Sequence, residues 1–129
     1  MEFVVISGEK DSACRTVANR LRAHGYRYFS PELFFVDDFG DLHLDPSKSQ
    51  QAIEWCAHHA EQEIEHHHDV VVQGIYFNSE LMKKAESVGY NIVVIRCDEG
   101  LDDVLNAKVQ SLVTIHEQNN PSLLRRLFG

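Results

Sequence analysis

The chain has 129 residues, of which 43% are hydrophobic and 25% charged, a composition typical of one folded domain and not of a disordered protein. Its formal net charge of -8 argues against broad nucleic-acid binding, which depends on neutralising phosphates with Lys and Arg. A local exception is the basic N-terminal region, residues 1–27, where an anionic ligand would meet the protein.

Three widely spaced cysteines and the lack of a signal-peptide pattern at the start indicate a reducing compartment. No apolar run approaches the roughly 18 residues needed to cross a bilayer. We therefore expect a cytoplasmic protein that does not enter a membrane.

Strand and helix patterns alternate from the first residues onward. Residues 3–6 form a short β-branched and aromatic run, which predicts a strand buried on both faces. Ser12 is suited to cap a following helix that Gly25 would end. Residues 26–30 predict a second strand, and the aromatic and acidic stretch at 34–41 predicts an ordered loop.

A long helix is predicted to begin at Pro46, with an apolar stripe along its buried side: Ile53, Cys56, Ala57, Ala60 and Ile64. Residues 70–72 predict a buried strand. A further helix closed by Gly89 then leads to a strand at 90–95.

Beyond Cys97 the pattern weakens, and we expect a helix at 101–105, a strand at 112–115 and a final helix at 121–128. Alternating strands and helices favour a mostly parallel sheet of four to five strands with helices on both faces. The sequence thus predicts one three-layer α/β/α domain over residues 1–129. In such folds ligands bind at the carboxyl ends of the strands.

The turn after the first strand stands where a phosphate-binding loop, or Walker A motif, belongs. Such a loop needs glycines that let backbone N–H groups cradle phosphates, a Lys for the outer phosphates and a Ser or Thr for magnesium. Gly8 occupies the first glycine position, but Ala13, Cys14 and Arg15 stand at the second glycine, lysine and hydroxyl positions. The motif is therefore degenerate.

An ordered set of landmarks nevertheless runs along the chain, in segments 3–8, 30–35, 45–46, 52–56 and 70–72. In the order and spacing of these segments, over about residues 1–97, the chain resembles the AAA-type P-loop kinases related to polynucleotide kinase. It implies a P-loop kinase-like fold for the whole domain.

The same resemblance gives Glu32 the position of a general base toward an acceptor hydroxyl. Several other functional positions depart from the family pattern. Leu33 stands for a second Asp, Ile53 for a His, and residues 73–75 read Gln-Gly-Ile in place of Asp-Asn-Thr. The departures fall on catalytic positions and leave the framework intact.

We favour a catalytically degenerate kinase-like domain, without cofactor or metal, that binds a protein partner as an accessory or regulatory protein. A small domain of this kind would suit a bacteriophage, and it would then work in the host cytoplasm. Its acidic surface fits a basic site on the partner.

The alternative is an active kinase that uses ATP and Mg²⁺ to phosphorylate a polynucleotide end or a small hydroxyl substrate, with Glu32 as base. Its atypical phosphate site would consist of Gly8, Lys10, Ser12, Arg15 and Thr16. A third hypothesis is a domain that binds a nucleotide without turning it over.

Other candidate sites have simpler interpretations. Cys56, His59, Glu63 and His67 have helical spacing that can align metal ligands, but we interpret the histidine run at 66–68 as a helix end, where positive charge suits the helix dipole.

Three further features point to structure and not to chemistry. Cys14 has no evident base, so we take it as a structural thiol. The acidic residues Asp37, Asp38, Asp41 and Asp45 lack calcium-loop spacing and predict a solvated loop. Trp55 and the Phe pair at 34–35 are interpreted as core residues and not as a platform for stacking bases.

Overall fold

The structure is a computed structural model that describes residues 1–7, 11–73, 79–97 and 103–119. For residues 11, 12, 79 and 119 it describes the backbone alone. The described strands are β1 (Glu2–Ser7), β2 (Arg27–Phe29), β3 (Val70–Gln73) and β4 (Asn91–Arg96). The described helices are α1 (Asp11–Ala23), α2 (Ser49–Glu65), α3 (Ser79–Ser87) and α4 (Asp103–Asn119). Two 3-10 helices, Pro31–Phe35 and Pro46–Lys48, lie between β2 and α2.

The four strands form one parallel sheet in the order β2-β3-β1-β4. Phe3 of the central strand β1 lies opposite Val70 of β3 and Ile92 of β4. The continuous apolar run of β1 is explained by this central place, since a strand between two helical layers is buried on both faces. The predicted parallel α/β fold is confirmed.

Alternate residues of β1 face the two helical layers. Val4 and Ile6 pack in a core with residues of α1 and α4, whereas Phe3 and Val5 pack in a second core with residues of α2 and α3. This division follows the two-residue period of a strand. It gives three layers, α1 with α4, the sheet, and α2 with α3.

Helices α1 and α3 end in the same way. The glycines that follow them, Gly25 and Gly89, have φ of 101° and 94°, and each is followed by a buried tyrosine, Tyr26 or Tyr90. In both turns the glycine N–H donates to the carbonyl three residues back and the tyrosine N–H to the carbonyl five residues back. This is the Schellman motif, which needs a left-handed residue at the glycine position. Both predicted helix stops are confirmed.

Two local predictions are wrong. Residues 112–115 lie within α4 and do not form a strand, because Leu105, Val109 and Leu112 recur at helical spacing and are buried on one side. Ser12 lies inside α1, which already includes Asp11, so it does not precede the helix as a cap. The helix predicted at 121–128 lies outside the described residues.

None of the helices in the described part of the chain combines the length and the apolarity needed to cross a membrane.

Candidate functional site

The carboxyl ends of the parallel strands meet at one edge of the sheet, the usual ligand edge of an open α/β fold. The Cys97 N–H donates to the Ser7 carbonyl over 2.9 Å, and the Cys14 thiol donates to the same carbonyl over 3.7 Å. The Tyr28 hydroxyl donates to Gln73 Oε1 over 3.0 Å, joining β2 to β3. At this edge, hydrogen bonds thus join the end of β4 to β1 and join β2 to β3.

The positions of the expected phosphate loop are only partly described. Gly8 and Lys10 lie outside the described residues. Because α1 begins at Asp11, Ala13 and Cys14 belong to the helix and not to a loop. Both are buried, and Cys14 is only 1% exposed. The side chain at the lysine position therefore points into the core, which agrees with the interpretation of Cys14 as a structural thiol.

The remaining candidate residues lie on two separate elements. Arg15 and Thr16 are exposed on α1, and Ser12 contributes to its first turn. Glu32 is exposed in the first turn of the 3-10 helix that follows β2. Strand β3 lies between β2 and β1, so these two elements leave the sheet about 10 Å apart at the usual strand spacing.

Tyr28 is a titratable side chain near Glu32 whose pKa the fold changes. Burial raises the pKa of Tyr28, and the Glu32 carboxylate raises it further, while a hydrogen bond with Ser30 acts in the opposite direction. The Arg22 guanidinium lies 5.9 Å from the Tyr28 ring centroid. Tyr28 therefore stays neutral near pH 7 and serves as the donor to Gln73.

Four rings form a half-buried cluster on the α2 side of this edge. The Trp55 ring lies 4.6 Å from that of His59 and 6.1 Å from that of Phe34, and the Phe29 ring lies 5.9 Å from His59. Trp55 and Phe34 are only partly buried and lie outside both cores. The prediction that they are core residues is wrong, because they pack mainly on each other and on neighbouring rings at the surface and not in either core.

Residues 36–44 form a small hairpin, called here the 36–44 hairpin, closed by a bridge between Val36 and Leu42. Asp37 Oδ1 accepts the N–H groups of Phe39 and Asp41, both over 2.9 Å. The Asp41 contact, the His43 ring at Oδ2 and the Phe39 N–H all lower the pKa of Asp37. The predicted ordered loop is confirmed for residues 36–41, whereas residues 34 and 35 belong to the 3-10 helix. An Asp followed three residues later by a Gly, as in 37–40, is the sequence signal of such a turn.

The hairpin exposes apolar side chains that the sequence did not mark as surface residues. Phe39 is 91% exposed, Leu44 63%, Leu42 49% and Val36 39%. The expectation of a solvated acidic loop is therefore incomplete. Apolar side chains generally favour burial, and only the tertiary structure shows that nothing in the described fold covers these four.

Asp37, Asp41 and His43 hold their ligand atoms within 4.8 Å of one another. The hydrogen bonds that fold the hairpin account for this proximity. Among the described residues, His59 and His67 do not form such a group, since α2 ends at Glu65 and His67 has a left-handed backbone, φ 58°. The histidine run at 66–68 indeed ends the helix.

A buried hydrogen bond between an aspartate and a histidine lies at the opposite, amino-terminal edge of the sheet. The His116 Nδ1 of α4 lies 2.5 Å from Asp69 Oδ2, and Asp69 Oδ1 accepts the Glu2 N–H over 2.6 Å. The Tyr26 ring packs on His116, 4.8 Å between centroids. Asp69 and His116 are both buried, so the pair ties α4 to two strands and is closed to substrate. Sequence reasoning missed it because its members are 47 residues apart.

The comparisons with known proteins support the fold. No model of a known protein family matches this chain, and no curated protein matches it. Its structure is similar to the crystal structure of "a putative kinase" from Chloroflexus aurantiacus J-10-fl, with a TM-score of 0.58 and 16% sequence identity. The match covers 88% of this chain and 66% of that one, so this chain spans slightly less than two thirds of its length. At this identity the likeness shows a kinase-like fold alone.

Proposed function

We propose that this chain is a P-loop kinase-like domain, one unit over residues 1–129, that has lost phosphoryl transfer and works by binding another protein. The observation that carries the proposal is that Cys14 is buried and that its thiol donates a hydrogen bond to the Ser7 carbonyl. A lysine at this position must reach the outer phosphates of a nucleotide. The backbone of α1 directs the side chain at position 14 into the core. A lysine there could not extend from the same backbone position toward a nucleotide.

The residue at the second glycine position supports the same conclusion. Ala13 lies buried within α1, whereas a P-loop needs a glycine there so that the backbone can wrap the phosphates. Phosphoryl transfer depends on positioning and charge stabilisation, and one lost donor commonly costs about 100-fold to 1,000-fold in rate. Loss of the lysine, a glycine and the hydroxyl together would abolish turnover.

Titration with ATP and Mg²⁺ tests this directly. We expect no heat of binding in calorimetry and no transfer or release of labelled phosphate from [γ-³²P]ATP. Arg15→Glu, at an exposed position of α1, is the matched variant and should behave as the parent protein does. Micromolar binding that disappears in Arg15→Glu or Lys10→Glu would contradict the proposal.

A second candidate is an active kinase with Glu32 as base and an atypical phosphate site. The observation in its favour is that Arg15, Thr16 and Glu32 are all exposed on elements that leave the carboxyl edge. Labelled phosphate appearing on a polynucleotide 5′-hydroxyl, and lost in Glu32→Gln, would establish it. Binding of ATP without turnover would instead favour a nucleotide-binding domain.

The overall charge bears on the class of partner. A net charge of -8 disfavours a polyanionic partner and suits a partner with a basic site. The proposed setting is a cytoplasm, where the three buried cysteines would stay reduced. An accessory or regulatory role, including one in a phage-infected host, requires only such binding.

A further inference from the structure

The 36–44 hairpin is folded by its own hydrogen bonds. The Asp37 carboxylate holds two backbone N–H groups, the Gly40 N–H donates to the Asp37 carbonyl over 3.0 Å, and the His43 N–H donates to the Phe35 carbonyl over 3.0 Å. Gly40 has φ 83°, which lets the chain reverse at the tip. A loop held in one conformation loses little entropy when it binds, and such preorganisation increases affinity.

The base of the hairpin adjoins packed rings, whereas its tip is exposed. The Phe34 ring centroid lies 5.2 Å from that of Phe35, with the two rings nearly perpendicular, and 6.1 Å from that of Trp55 in α2. Phe39 projects beyond this base with 91% of its surface exposed. An ordered phenyl ring in this position resembles the aromatic residues that dominate protein interfaces.

The charges beside the ring determine which class of partner fits. Asp38 and Asp41 flank Phe39 and are exposed. These carboxylates would repel the phosphates of nucleic acid and of anionic lipid surfaces. They would attract Lys or Arg side chains at the rim of a protein pocket.

We propose that the 36–44 hairpin is the docking element of this protein and inserts Phe39, with Leu42 and Leu44 beside it, into an apolar pocket of a protein partner rimmed by basic residues. This assignment rests on the proposed binding function. It specifies the contacting surface and the chemistry of the partner.

Site-directed photo-crosslinking tests the assignment with the full chain. The photoreactive residue p-benzoylphenylalanine replaces Phe39 in one sample and Val104 of α4 in the control, since Val104 is also exposed, 79%, and lies in the opposite helical layer. Both proteins are irradiated in cells of the native source, and adducts are mapped by mass spectrometry. We expect a protein adduct from position 39 alone, attached to a segment with apolar and Lys or Arg residues.

The partner identified by crosslinking is then purified, and its affinity for each variant gives the size of each side chain's contribution to binding. Phe39→Ala should weaken binding by about 30-fold or more, and Val104→Ala should leave it unchanged. Asp38→Asn/Asp41→Asn should weaken binding less and reduce its salt dependence. Because these side chains are exposed, circular dichroism and melting temperature should match the parent protein in every variant.

Several results would overturn the assignment: equal adducts from positions 39 and 104, no adduct, attachment to nucleic acid or lipid, or full affinity of Phe39→Ala. If Phe39 fails these tests while ATP neither binds nor turns over, the docking assignment is wrong and the loss of kinase chemistry stands. ATP turnover would overturn the proposed function whichever side chain a partner contacts.

Discussion

Asp69→Ala is expected to lower the free energy of unfolding by about 2–5 kcal/mol, because it removes a buried carboxylate and leaves two buried donors without this acceptor. Asp69 accepts hydrogen bonds from His116 and from the Glu2 N–H, and the Asp69 and His116 side chains are both at most 5% exposed. Removal of the carboxylate therefore affects the attachment of α4 and the amino-terminal end of β1 together.

Urea unfolding followed by circular dichroism at 222 nm measures this loss. Asp69→Asn is the matched variant, since its amide oxygen can still accept the Glu2 N–H, and it should lose less stability than Asp69→Ala. Asp38→Ala removes an exposed carboxylate and should change stability by no more than about 0.5 kcal/mol. A loss below about 1 kcal/mol in Asp69→Ala would show that the pair does not hold α4 in place.

The same pair predicts a pH dependence. Burial by itself would raise the pKa of Asp69, but hydrogen bonds from His116 and from the Glu2 backbone lower it, and the net pKa lies below the ordinary value. A carboxyl group whose pKa is lowered by folding stabilises the protein fully above its unfolded pKa of about 3.9 and loses this contribution as the pH falls through the folded value. The stability difference between the parent protein and Asp69→Asn should therefore shrink as the pH falls below about 4. A difference that grows on acidification would contradict the assignment.

Gly25→Ala is expected to cost about 2–5 kcal/mol, through backbone strain and overpacking together. Gly25 has a φ of 101°, which L-residues rarely adopt, and an added Cβ would lie 2.9 Å from His116 Nε2. His116 cannot move away easily, because Asp69 holds the other side of its ring.

Gly89→Ala separates these two causes. Gly89 has nearly the same φ, 94°, in the same Schellman motif, but an added Cβ there meets nothing within 4 Å. This variant should lose only about 1–2 kcal/mol from the backbone. Equal losses at the two glycines, measured by urea unfolding, would show that contact with His116 contributes nothing.

The alternation of strands and helices, the parallel sheet and both glycine helix ends follow from the sequence. Buried strands such as 70–72 are uniformly apolar, and the glycines stand where helices stop. The strand predicted at 112–115 failed because its β-branched residues have local strand propensity, whereas Leu112 and Val113 belong to a helical stripe that packs on the α1 side of the sheet.

The degenerate phosphate-loop motif at 8–16 is the feature of the candidate site that the sequence determined, because spacing alone shows Cys14 at the lysine position. Only the tertiary structure decided where the Cys14 side chain lies: its thiol is enclosed in the core, on a helix that begins at Asp11. It also decided the Asp69–His116 pair and the exposure of Phe39. Composition and periodicity report which residues favour burial, but contacts between distant segments determine which residues are actually covered.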